Sequence, residues 1–147
     1  MVEEIDTLDK IIQDTIVQFH SIREESWSKK TDPEKWSRKE ILGHLIDSAH
    51  NNLRRLIVTQ YQESQKIVYD QDFWVSIQNY QQMETQDIID LWTLMNRQFI
   101  RTIRRTPPEL YFLTTDVGNT VAEYLSIRQL IQMYTDHMSH HLKQIFD

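Results

Sequence analysis

The apolar residues of this chain fall into four stripes with the period of an α-helix, a pattern that leaves little room for another fold class. Ile5, Leu8, Ile12, Ile16 and Phe19 recur at three- and four-residue steps, the mark of one buried helical face. They predict a first helix from about Glu3 to Ser26. Asp32-Pro33 interrupts it; Asp can cap and Pro can open a short turn. A second helix opens at "SRKE", where Ser37 and Glu40 form a capping box. It runs to about Gln62 with Ile41, Leu45, Ala49, Leu53, Leu56 and Ile57 inward. A third starts near Thr85 and ends before "TPPE", with Ile88, Trp92, Met95, Phe99 and Ile103 on its core face. The fourth opens on a second capping box, Ser126 and Gln129, and continues to the end of the sequence.

Only two glycines and three prolines punctuate 147 residues, which favours long helices over a turn-rich β fold. The expectation is an all-α four-helix bundle forming a single domain over residues 1–147. Long loops join helices two and three (residues 63–83) and helices three and four (Thr106 to Tyr124). The first loop loses the helical period and leaves room for one short turn; the second carries two prolines and the turn signal "DVGN". Loops of this length are usually functional or disordered. Their aromatic residues, among them Tyr69, Phe73, Trp74, Tyr111 and Tyr124, argue against disorder.

Net charge is −6 and the basic residues form no long block, which argues against nucleic acid or an anionic membrane as partner. With no cysteine, disulfides and thiolate ligands are excluded, in keeping with a reducing, cytoplasmic setting. The acidic "MVEEIDTLDK" has no signal-peptide apolar core, and no apolar run is long enough to span a bilayer.

The chemistry-bearing residues are histidines. "YTDHMSHHLKQI" holds His137, His140 and His141. At about 100° per residue, His141 lies about 40° from His137, on the arc shared with Leu130 and Tyr134. His140 falls about 60° off the other edge. The HxxxH spacing sets two imidazoles side by side on one face, about 5–6 Å apart at Cβ, so that one ion can accept both. On helix two, His44 is also core-facing, and Ser48 and Asn51 extend it into a polar strip. Gly43 beside it costs about 1 kcal/mol relative to alanine in mid-helix, a cost that a close approach to its backbone would justify. Two readings of His44, His137 and His141 stand side by side: an open facial metal set, or hydrogen-bonded core histidines. Asp47 is placed to orient an imidazole, to act as a base, or simply to cap or pair. His20 and His50 read as surface or rim, and Trp36 and Trp92 as core packing. No Glu-x-x-His pair, Gly-rich phosphate loop or G-x-S-x-G elbow is present.

Three segments in order, "WSRKEILGHLIDSAHNNLRRL", "YDQDFW" and "YTDHMSHHLKQI", resemble the DinB/YfiT-like superfamily of four-helix-bundle metalloproteins. The resemblance spans about Trp36 to Ile145. It implies that His44, His137 and His141 bind a divalent metal (zinc, nickel, iron or manganese). It also makes Tyr69, Asp70 and Trp74 candidate pocket residues, beside Asp47, Ser48 and His140, which the reading of helices two and four offers as pocket or surrounding residues. Members of the superfamily include S-transferases that use a low-molecular-weight thiol such as bacillithiol or mycothiol, and others described as metal-dependent hydrolases. The implied activity is therefore activation of a thiol for transfer to a small electrophile. The alternatives are hydrolysis by metal-activated water and a non-catalytic metal-binding scaffold. A small-molecule substrate and a homodimer follow from the same resemblance.

Overall fold

Six α-helices and one small hairpin follow one another in a computed structural model that describes residues 1–147. They are α1 (Val2–Phe19), α2 (Glu24–Trp27), α3 (Arg38–Thr59), α4 (Gln71–Gln78), α5 (Thr85–Arg105), β1 (Thr114–Asp116), β2 (Tyr124–Ser126) and α6 (Ile127–Phe146). The four long helices α1, α3, α5 and α6 are the expected bundle. No helix is long and apolar enough to cross a membrane.

The bundle has an unusual order of directions. At one end, Lys39 Nζ of α3 donates to the Met83 carbonyl just before α5 (2.7 Å). At the other, Gln60 Nε2 reaches Thr106 Oγ1 (3.3 Å). Thus α3 and α5 run parallel. Arg104 of α5 pairs with Asp6 and Asp9 of α1, so those two run antiparallel. Arg128 meets Glu4 and Phe146 stacks on Phe19 at 5.6 Å, so α1 and α6 run parallel. Arg38 Nε donates to the Ile145 carbonyl (2.7 Å), setting α6 antiparallel to α3. Parallel neighbours cannot be joined by a tight turn, and the long segment between α3 and α5 is the return path that this arrangement requires.

Both capping boxes form as expected, at Ser37 with Glu40 and at Ser126 with Gln129. The first helix departs from expectation. It stops at Phe19 rather than near Ser26, and the chain turns so that α2 brings Trp27 back under the end of α1. There Trp27 packs edge-on against Phe19 at 5.5 Å, a burial that a straight helix would forfeit. In the fourth turn Thr15 is the fully buried residue, with its hydroxyl bonded to the Ile11 carbonyl (2.6 Å), and Ile16 packs half-buried against the core. Asp32 behaves as proposed: its carboxylate accepts from the Glu34 amide (2.9 Å). On α3, Ile57 is 42% exposed rather than inward. The buried line there follows Leu42, Leu45, Ala49, Asn52, Leu56 and Thr59, and Ile57 lies a quarter turn away. Met95 is only half-buried, whereas Ile88, Trp92, Phe99 and Ile103 fill the core.

The two long connections are ordered. The first contains α4, opened by the Asp70 carboxylate accepting from the Phe73 amide (3.0 Å) and closed by Asn79 in the left-handed region at φ 50°. A 3-10 turn over Tyr80–Gln82 follows. In the second connection, β1 and β2 pair antiparallel with Thr115 opposite Leu125. Residues 64–67 lie against β1: the Ile67 amide donates to the Asp116 carbonyl (3.0 Å) and the Asp116 amide to the Gln65 carbonyl (3.0 Å). Each long connection therefore satisfies the backbone of the other.

Candidate metal centre

His44 sits in the second turn of α3 and is 1% exposed, while His137 and His141 occupy successive turns of α6 and are half-buried. The antiparallel packing of α3 on α6 brings the three together. His44 Nε2 lies 3.0 Å from His137 Nε2, and one nitrogen from each ring falls within 4.8 Å of the others. The ring centroids are 5.0, 4.7 and 4.6 Å apart with interplanar angles of 76°, 78° and 76°, so the rings fan around a common point. Bonds of about 2.0–2.1 Å to one ion place two imidazole nitrogens about 3–3.4 Å apart, and this set is within small side-chain rotations of that spacing.

The protonation chemistry fits the same use. Burial, then the neighbouring imidazoles, push His44 down to about 3, and burial followed by His141 and His140 pushes His137 down to about 4. His141 is lowered too, again mainly by burial. Neutral imidazoles with free lone pairs are what a divalent cation needs. Two of the rings have their far nitrogen occupied. His141 Nδ1 donates to Gln144 Oε1 (2.8 Å), and His137 Nδ1 lies 3.4 Å from Ser48 Oγ. Such outer partners fix the tautomer that leaves Nε2 as ligand. His44 Nδ1 is buried with no partner.

Around the rings, Trp36 stands 5.0 Å from His44 as a wall. The sequence pattern assigns Trp36 to the core, and it does pack against the core's edge; its contact with His44 has no signal in the pattern. Gln144 has a single signal in the sequence, its i+3 step from His141. Asp47 makes no hydrogen bond to an imidazole. Its Oδ1 accepts from Tyr80 Oη (2.7 Å) and Gln78 Nε2 (2.6 Å), its Oδ2 is buried without a partner, and burial raises its pKa. Tyr80 is held there because Gly43 has no side chain: a Cβ would collide with the Tyr80 ring. This is the close approach that the mid-helix glycine implied.

Tyr69 and Trp74 are half-buried neighbours, 5.6 Å apart edge to face, and Trp74 also meets the exposed His50 at 5.8 Å. The Tyr69 phenol is pushed up by burial, against the Arg55 guanidinium and the Ser48 hydroxyl, which puts it beside the polar strip on α3. Asp70 is exposed and serves as the cap of α4. His140 is exposed and outside the converging set, accepting from Gln144 Nε2 at 3.3 Å. His20 is exposed and remote.

A family model for the DinB superfamily matches residues 7–145. Among solved structures, the chain is similar to YfiT from Bacillus subtilis, described as a probable metal-dependent hydrolase with an unusual four-helix bundle topology. The TM-score is 0.86 at 16% identity, covering 98% of this chain and 82% of that one. It is similar to a mycothiol-dependent maleylpyruvate isomerase at TM-score 0.77 and 11% identity, covering 99% of this chain and 60% of the isomerase. A DinB-like protein from Bacillus subtilis, YjoA, aligns at TM-score 0.67 and 15% identity over 98% of this chain and 87% of that one. At these identities the likenesses establish the fold. No curated protein matches the sequence.

Proposed function

Because the chain belongs to the DinB superfamily, we propose that His44, His137 and His141 hold one divalent cation in a metal-dependent enzyme. Its reaction is the activation of a low-molecular-weight thiol for transfer to a small electrophile. The observation that carries this reading is the convergence of three neutral imidazoles, two of them with Nδ1 turned to a partner. When bound, a divalent ion lowers the pKa of a thiol or water and makes it nucleophilic near neutral pH. The residues contribute the rest. Burial favours the neutral form of the three rings, Gln144 and Ser48 hold two of them by their outer nitrogens, and Trp36 covers His44 from one side. Three protein donors leave coordination positions free for a reactant.

The test combines two measurements. Elemental analysis of purified protein is expected to find about one equivalent of a divalent metal, lost in His137→Ala. Metal-loaded protein given bacillithiol-like thiols and a model epoxide or alkyl halide is expected to turn over faster than metal-free protein; equal rates sink the transferase. A hydrolase is the second reading, supported by the description of YfiT, and it predicts turnover of an ester or amide without any thiol. A non-catalytic scaffold predicts tight metal binding and neither activity. We place the enzyme in the cytoplasm and expect a homodimer, which sedimentation velocity checks.

A further inference from the structure

Four polar side chains occupy one inward line of α3 where core residues would otherwise pack. His44, Ser48, Asn52 and Arg55 are 1%, 2%, 2% and 6% exposed. The last three are joined in series. Asn52 Nδ2 donates to Ser48 Oγ (3.2 Å) and to the Ser48 carbonyl (2.8 Å). Asn52 Oδ1 accepts from Arg55 Nη1 (3.1 Å). Arg55 Nε and Nη2 both donate to the Ile67 carbonyl at 2.9 and 2.6 Å. The guanidinium lies 6.0 Å over the Tyr69 ring, and no carboxylate pairs with it. Burying this much polarity is costly unless every member is satisfied, and the top of the series ends on His137 Nδ1, 3.4 Å from Ser48 Oγ.

The tautomers follow from the same contacts. His44 Nε2 and His137 Nε2 face each other at 3.0 Å, so one carries the hydrogen. His44 Nδ1 has no partner, and a buried N–H without an acceptor is rarer than a bare lone pair. In the metal-free cluster the hydrogen therefore belongs on His44 Nε2, from which it must move to Nδ1 when Nε2 takes an ion. His137 Nε2 accepts that hydrogen bond, and His137 keeps its own hydrogen on Nδ1, directed at Ser48.

We propose that Ser48, Asn52 and Arg55 are positioning residues: one buried column that fixes His137 with Nδ1 protonated and Nε2 presented to the cluster, and that anchors the Ile67–Tyr69 wall to the same strut. The inference rests on the metal-centre reading for its purpose but not for its geometry. Loss of such an outer partner typically weakens metal binding about 10- to 100-fold.

Two readouts test it. Nitrogen NMR of the metal-free protein is expected to show His137 as the Nδ1–H tautomer, shifting in Ser48→Ala; an Nε2–H tautomer in the unaltered protein overturns the proposal. Zinc affinity by chelator competition, with the visible spectrum of the cobalt form, is expected to fall at least about tenfold in Ser48→Ala. Ser48→Thr, which keeps the hydroxyl, should restore it. Affinity and spectrum unchanged in a Ser48→Ala protein that melts normally also overturn the proposal. Should the unaltered protein bind neither ion, the metal centre fails by itself, and the tautomer measurement decides the column.

Discussion

At the scale of single residues, the depressed histidines have a signed consequence. In the unfolded chain, His44 and His137 take up protons near the ordinary value of about 6.5; in the fold they do so only near 3 and 4. Between those limits the unfolded state binds more protons. Stability is therefore complete above about pH 6.5 and falls as the pH drops toward 4. The melting temperature of metal-free protein is expected to decline across that window, and His44→Leu to flatten the decline. A curve of unchanged slope in the variant would mean that His44 is not the group being titrated. Gln144 supplies a second residue-scale test. Its amide is held in one orientation, Oε1 toward His141 and Nε2 toward His140. Gln144→Leu should weaken zinc binding about tenfold while leaving the fold's thermal midpoint without metal nearly unchanged.

At the scale of elements, Gly43 decides how the crossover docks on α3. Tyr80 is 2% exposed and tied to Asp47, so its ring cannot retreat from an added methyl. Gly43→Ala is expected to cost about 1–3 kcal/mol in urea unfolding, the usual range for overpacking. In a Tyr80→Ala background it should cost much less, the coupling a double-mutant cycle isolates.

Legibility from sequence also divides by element. The starts of α3 and α6 were readable because a capping box is a local contract between residues three apart. His137 and His141 were readable as a pair because HxxxH is likewise local to one helix. α4 was not, since eight residues give barely two turns of periodicity, and β1 and β2 are three residues each, too short for alternation to register. Trp27's return onto Phe19 and Trp36's contact with His44 depend on how separate segments meet. Asp47 shows the same limit: its place three residues after His44 leaves orienting an imidazole, acting as a base and ordinary capping or pairing all open, and the fold gives its carboxylate Tyr80 and Gln78 as partners.

At the scale of the whole molecule, the cluster joins α3 and α6, which are otherwise held by packing and by the Arg38–Ile145 hydrogen bond. An ion that binds only the folded state stabilises it by mass action, about 2.7 kcal/mol at a hundredfold excess over Kd. Added zinc is expected to raise the melting temperature of this protein in a concentration-dependent way, and His141→Ala to abolish the rise. A zinc-induced shift that survives in the variant would place the binding elsewhere. The parallel course of α3 and α5 also predicts that shortening the segment between them below the span of α5 breaks the bundle. The antiparallel turn from α5 to α6 should tolerate deletion of the β1–β2 hairpin better, at the cost of loosening residues 64–67, which circular dichroism and proteolysis would read.

The meeting of α3 with α6 also has a bearing on biosynthesis. His44 is translated before α4, α5 and the hairpin, and His137 and His141 only after them. A ribosome-bound chain can fold its first helices without ever possessing the cation trap. Under the proposed metal reading, loading has to wait until α6 docks on α3, and an ion met before α6 is made finds only one of the three imidazoles.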